Sequence, residues 1–374
     1  MLFRSAAPPW LIGGVGGAYL LVAPGELEIE VYKRDLDVRN LRSDLRAILA
    51  GPDREVQAEA VIPASPGSAG DPIGPVQSAV LRATVTRPGI YALNITTKGD
   101  RYGLNVAWGL RTNAVAYVVE TSRGHRDERH QEPIVLLDAD RPADVCFLPR
   151  QGAFGIDVEG LPAGVESLVL YDADDVEVQR IPVVPQPSTA IRQYLRVAAG
   201  KGPEGSAQVV VPATVARGGR PWRLQFPRGK AFVNIDGVTR WEGGDAYRDL
   251  AVWSPDRRSW FPFLEHRWLV TPYQRTVHAE PGAPGRMAFQ VHNNAAEPRA
   301  VALSLEFPGE SWPAGLSTTR VALGAGEAKE VMVSFTTPPA GATARCHLRA
   351  TPEQHPETTT YATLTVHEIG RAHV

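Results

Sequence analysis

The feature that most restricts this chain is a two-residue alternation of apolar and polar side chains, repeated from end to end with almost no helical periodicity. "ELEIEVY", "SAVLRATV", "IYALNIT", "VAYVVET", "FGIDV", "SLVLYD", "VEVQRI", "AFVNIDGV", "RMAFQVHN", "AVALSLEF" and "EVMVSF" each carry one apolar and one polar face. A strand that covers one side of a core has this pattern. Turn residues fall between the stretches, at "GPD", "RPG", "DADD", "PRGK", "NNAAEP" and "GAGEA". The best helical stretch is "LRSDLRAILAG" (41–51), only about three turns long. The spacing predicts an all-β chain of tandem β-sandwiches. Abundant Gly (35) and Pro (32), with 43% hydrophobic residues, fit many short strands joined by tight turns.

The alternating stretches recur in order. "PWLIGGVGGAYLLVAPGELEIEV" starts at Pro9 and "PIVLLDADRPADVCFLPRQGAFGIDV" at Pro133. "LRAILAGPDREVQ" (45–57) matches "LVLYDADDVEVQ" (168–179), each a strand, an acidic turn and a strand. "RPGIYALNITTKGDRYGLNVAWG" (87–109) matches "RPWRLQFPRGKAFVNIDGVTRW" (220–241). Three correspondences in the same order at a near-constant offset predict two copies of one sandwich, at 6–130 and 131–243.

Pro24-Gly25, Gly51-Pro52-Asp53, Pro88-Gly89-Ile90-Tyr91 and the run Tyr102 to Trp108 resemble the bacterial pre-peptidase C-terminal family and related jelly-roll modules of secreted hydrolases. In the second copy Gly152, Asp172 to Asp175 and Trp222 to Trp241 stand in; the family's turn glycine is missing from both copies. Residues 275–368 form a third unit. Asn293, the Pro308 and Trp312 segment, and Gly324 to Lys329 before a valine-rich strand resemble the Ig-like modules attached to secreted bacterial glycosidases, of the alpha-galactosidase-associated type. Seven short strands would fit this unit. These resemblances imply accessory or spacer modules of a larger secreted bacterial protein, an extracellular or periplasmic location, and a polysaccharide or cell-surface glycan as partner.

Between the second and third units lies a Trp-rich connector, 244–274; five of the eight tryptophans fall within 222–268. Two readings stand side by side. Trp253, Trp260, Trp268 and Tyr273 could stack on pyranose rings, with Asp256 and Arg258 among the polar neighbours bonding hydroxyls. Alternatively the rings wedge the sandwiches together and fix their angle. Asp172, Asp174 and Asp175 in "YDADDVE" offer carboxylates to calcium, but the same residues suit a hairpin turn. His125 and His130, among charged residues between two units, read as a solvated linker rather than metal ligands.

No Gly-x-Ser-x-Gly, His-Glu-x-x-His or phosphate-loop motif occurs, and the carboxylates are scattered. The expectation is a non-catalytic fragment without a cofactor; an enzyme with its site between sandwiches is a further alternative. A net charge of −2 recruits neither nucleic acid nor an anionic membrane. Cys146 and Cys346 read as two buried thiols. No continuous apolar run is long enough to span a bilayer, and the glycines in "WLIGGVGGAYLLV" make it strand, turn and strand rather than a signal segment. Finally, the terminal Glu-Ile-Gly-Arg-Ala-His-Val and the initial Met-Leu-Phe-Arg-Ser can be back-translated into opposite strands of a common sequencing adapter. Residues 1–5 and 369–374 are therefore expected to be adapter-derived, with the gene continuing beyond both.

Overall fold

The computed structural model describes residues 8–36, 42–66, 74–98, 105–121, 131–138, 143–185, 205–213, 220–227, 229–241, 250–339 and 342–368. The flanks read as adapter-derived and the pair His125 and His130 lie outside them.

The chain is nearly all β. The first stretch supplies β1 (Trp10–Gly13), β2 (Gly16–Val22), β3 (Gly25–Asp35), β4 (Leu45–Ala50), β5 (Val56–Ile62), β6 (Gln77–Val85), β7 (Gly89–Thr97), β8 (Val106–Thr112) and β9 (Ala116–Glu120). The second supplies β10 (Ile134–Leu136), β11 (Ala143–Phe147), β12 (Phe154–Leu161), β13 (Ser167–Tyr171), β14 (Glu177–Pro182), β15 (Val184–Pro185), β16 (Gly205–Val211), β17 (Trp222–Phe226), β18 (Ala231–Ile235) and β19 (Val252–Ser254). The helical candidate at 41–51 is instead β4. Leu45, Ala47 and Leu49 are buried on alternate positions, so the two-residue period decides.

The first two stretches do not form separate sandwiches. Their strands join edge to edge into a nine-stranded sheet, β15-β16-β12-β18-β10-β1-β8-β3-β6, and a ten-stranded sheet, β14-β13-β17-β11-β19-β9-β2-β7-β4-β5. β1 pairs antiparallel with β10 (Trp10 opposite Leu136), and β9 with β19 (Val119 opposite Trp253). Counted outward from these two seams, the strands of the two stretches follow in corresponding order, apart from the extra β15 at one edge. The β4–β5 and β13–β14 hairpins carry a register shift at corresponding places and a left-handed residue in the turn, Arg54 and Asp175.

One hydrophobic core runs across the seam. Trp10 of β1 meets Trp108 edge-on at 5.7 Å and Trp253 at 5.2 Å. All three rings are fully buried. Gly109 permits this packing, because a Cβ there would lie 2.1 Å from the Trp10 carbonyl oxygen.

The third unit is a smaller sandwich. It comprises β20 (Val270–Thr271), β21 (Gln274–Ala279), β22 (Pro284–His292), β23 (Arg299–Glu306), β24 (Ala314–Leu316), β25 (Arg320–Leu323), β26 (Ala328–Thr336), β27 (Thr343–Pro352) and β28 (Thr360–Glu368). The sheets are β20-β22-β26-β24 and β21-β28-β27-β23-β25, around a separate core that includes Phe289, Val331 and Leu364. The stretch 244–274 is thus shared out. β19 belongs to the large sheets, β20 and the start of β21 to the small ones, and a single helical turn, Phe263–His266, lies between.

Trp10→Ala should lower stability by about 3–5 kcal/mol. Hydrogen exchange should show β1–β8 and β10–β18 amides losing protection together. Loss confined to one half would mean that the seam is not a cooperative unit.

Candidate functional site

The site grows from an anomaly on the outer face of the ten-stranded sheet. Along β2, Ala18, Leu20 and Val22 face the core, so Tyr19 and Leu21 face outward. Ala116 and Val118 of β9 and Val252 of β19 share that outer face. An apolar patch of this kind needs covering. Phe261 and Phe263 supply the cover: the Phe263 ring stacks on Tyr19 at 3.8 Å and 16°, and Phe261 meets Phe263 edge-on at 6.2 Å. Both phenylalanines are buried. The chain is thereby turned back over the sheet, and the third unit comes to rest beside the β4–β5 turn and β7.

Polar contacts tie that edge. Arg87 bonds Asp53 at 2.6 Å and approaches Glu306 of the third unit at 3.8 Å, and Arg345 reaches Glu55 at 2.5 Å. Gly89, at φ +143°, lets the backbones close: a Cβ there would stand 2.5 Å from the Thr359 carbonyl oxygen.

Between the units remains a cleft of about 220 Å³. Its floor is the outer sheet face (Tyr19, Ile90, Ala92, Asn94), and its walls are Gly51, Pro52 and Arg54, the run His266 to Val270, and Thr360 and Tyr361. At its mouth the Arg54 guanidinium lies 3.8 Å from the Tyr273 ring centroid and 5.6 Å from that of Trp268, in cation–π contact. Trp268 and Tyr273 are 47% and 44% exposed, with centroids 5.9 Å apart. Three non-glycine residues among those described have positive φ, and two of them, Arg54 (67°) and Trp268 (57°), meet here. The Thr360 hydroxyl is buried without a hydrogen-bond partner.

In the cleft wall sits His266, with 1% exposure. Its Nδ1 is 3.0 Å from the Thr358 hydroxyl and its Nε2 3.2 Å from Arg299 Nη1. Arginine can only donate, so Nε2 accepts and Nδ1 carries the proton. Burial, then the Arg299 charge and His355, push this histidine down to about 3.

The residues singled out from the sequence are not brought to one place. Trp253 is 0% exposed inside the core and presents no face to a ligand, which corrects its reading as a sugar platform. Trp260 is half-buried against the Phe261 and Phe263 cluster. Trp268 and Tyr273 do stand together. Asp256 caps a turn, its Oδ1 accepting from the amides of Arg258 (2.7 Å) and Ser259 (2.9 Å). With Arg258 it lines a different cavity of about 420 Å³, at the end of the seam beside Tyr117, Asp138 and Asp144. There, burial pushes the Tyr117 hydroxyl up to about 12 and raises the Asp144 carboxyl. Asp172, Asp174 and Asp175 form a hairpin turn: Asp172 Oδ1 accepts from the amides of Asp174 and Val176, each at 2.9 Å. Asp174 pairs with Arg220, and Asp175 with Arg223 and Arg257. Among the described residues no three His, Cys, Asp or Glu side chains are grouped to hold a metal ion. No helix among them is long and apolar enough to cross a membrane. Sequence reasoning missed Arg54 and Phe263. The signal for Arg54 was its place in the "GPDRE" turn, where the matching position of the second copy holds Asp175.

No family model matches the chain, and no curated protein matches it. Solved structures similar to it include the ASH/PapD-like domain 7 of human CEP192, with 15% identity over 28% of this chain and 85% of that one, at a TM-score of 0.23. The periplasmic chaperone SfaE matches at 6% identity over 28% of this chain and 57% of that one, at a TM-score of 0.22. The VesB protease of Vibrio cholerae matches at 11% over 93% of this chain and 96% of that one, at 0.21. Likenesses this low add nothing to the all-β architecture that the sheets themselves define.

The folded pKa of His266 lies below the unfolded value of about 6.5. Between the two, the unfolded chain binds a proton that the folded one does not. The contribution of His266 is therefore present above about pH 6.5 and fades as pH falls toward 3. His347, buried in the third unit and pushed down to about 4, acts in the same direction. The Tm of the third unit should fall between pH 6.5 and 4, and His266→Gln should flatten the fall; an unchanged slope in that variant would contradict the assignment.

Proposed function

We propose that the chain is a non-catalytic accessory module of a larger secreted bacterial protein, a spacer that holds a large double sandwich and a small one at one fixed angle. The observation that carries this reading is the burial of Phe261 and Phe263 on the outer sheet face, with Phe263 stacked on Tyr19. Loose linkers expose their side chains; this one contributes aromatic area to an interface, and ion pairs at Asp53, Glu55 and Glu306 surround it. Most of the tryptophan-rich segment therefore acts as a wedge.

A second reading has its own support. Among the described residues of this segment, Trp268 and Tyr273 are the exposed aromatic rings, and they stand with Arg54 at the mouth of a cleft. They suit a glycan whose pyranose ring lies flat on an aromatic face, so the module would also bind the polysaccharide on which its parent protein acts.

Two experiments test the first reading. The intact chain, assayed on glycoside, ester and peptide substrates, should turn over none; sustained turnover of any one would contradict it. Phe263→Ala should cost about 3 kcal/mol of docking stability, the low end for losing a buried Phe. Small-angle scattering should then show a larger radius of gyration with both sandwiches folded. An unchanged scattering profile would mean that the stack does not fix the angle.

A further inference from the structure

The junction cleft has an unusual charge balance. Its fifteen lining residues include Arg54 and Arg267 but no Asp or Glu, in a chain whose net charge is −2. The nearby carboxylates are taken up elsewhere: Asp53 by Arg87, Glu55 by Arg345, and Glu306 by Arg349 at 2.9 Å. Arg54 touches the two aromatic rings and donates only a long hydrogen bond, 3.4 Å, to the Tyr361 carbonyl oxygen. The guanidinium of Arg267 pairs with no carboxylate among the described residues; its backbone amide donates to Phe263 O at 2.9 Å. Desolvation at the apolar wall lowers the pKa of Arg54 despite the smaller opposing pull of Tyr273 and Asp53.

The backbone points the same way. A bulky residue in the left-handed region is costly. Arg54 and Trp268 both occupy it, on opposite sides of one cleft mouth. The Trp268 turn is held there by neighbours, since Asn294 Nδ2 donates to the Arg267 carbonyl oxygen and the His292 amide to that of Leu269. The turn thus aims an open indole, 47% exposed, over a pocket edged by two arginines. At about 220 Å³ the cleft is smaller than the roughly 300–1,000 Å³ of a drug-sized site, so it takes one ring of a longer molecule.

We propose that this cleft binds a carboxylate-bearing sugar, a uronate unit of an acidic glycan, with the sugar ring on Trp268 and its carboxylate on Arg54 and Arg267. The inference rests on the glycan reading above and adds the charge of the ligand. A guanidinium fork matches a carboxylate with two parallel hydrogen bonds, and a flat indole matches the apolar face of a pyranose.

The test is titration of the full chain with tri-galacturonate, with a neutral trisaccharide of the same size, and with a short polyglutamate peptide, read by calorimetry and tryptophan fluorescence. Tri-galacturonate should bind at least tenfold more tightly than the neutral sugar, and more weakly in 500 mM than in 50 mM salt. Arg54→Gln and Arg267→Gln should each weaken it about tenfold. Trp268→Gly should abolish the fluorescence response and hold or raise Tm, because glycine relieves the left-handed position. Equal binding of the neutral sugar would overturn the charge assignment and leave the glycan reading standing. Binding of neither sugar would overturn both. Polyglutamate binding as tightly would overturn the sugar assignment, and wild-type affinity in all three variants would overturn the site.

Discussion

The stack of Phe263 on Tyr19 is the contact from which the arrangement of this molecule follows. A sheet in a sandwich normally buries one face and wets the other. Here the second face carries Tyr19, Leu21, Ala116, Val118 and Val252, so the connector has to return over it. That return seats the third sandwich beside the β4–β5 turn, lets Gly89 approach Thr359, and brings Arg54 under Tyr273 and Trp268. The cleft is a product of docking: neither sandwich contains it alone.

The two large-sheet stretches share one plan but use it differently. Tyr19 lies opposite Ala92, and the corresponding register in the second stretch sets Cys146 opposite Arg223. The first outer face is thus apolar and dockable, while the second carries Arg223 bonded to Asp144 and Asp175. The turn residues diverge likewise. Arg54 stacks on rings of the connector, Trp268 and Tyr273, and Asp175, at the matching left-handed position, pairs with Arg257 just past β19. Both turns therefore lean on the connector region, one through aromatic contact and one through charge.

Much of the strand pattern was legible, because burial on one side imposes a period of two that Leu45, Ala47 and Leu49 keep even in the segment with the best helical count. The merging of the sheets was not legible. A short apolar strand such as β1 reads the same whether its neighbour is a loop or β10, and only the pairing of Trp10 with Leu136 shows which. The tryptophans show a second limit. Trp253 and Trp268 read alike in sequence, yet one is in a three-residue strand facing the core and the other on a left-handed turn facing out. Asp256 and Arg258 sit only a few residues from the aromatics they were grouped with, but a turn directs them to another cavity. Arg54 escaped notice because its partners lie more than 200 residues away in the chain.

Docking through Phe263 and Tyr19 should make the large and small sandwiches one rigid body. Both native cysteines are buried, so spin labels can be confined to introduced ones. With Val210→Cys on the large sandwich and Ser311→Cys on the small one, both exposed positions, pulsed electron resonance reads the distance between the units directly. A single narrow distance distribution, broadened by Phe263→Ala, is the predicted result. A broad or multimodal distribution in the unaltered junction would contradict it.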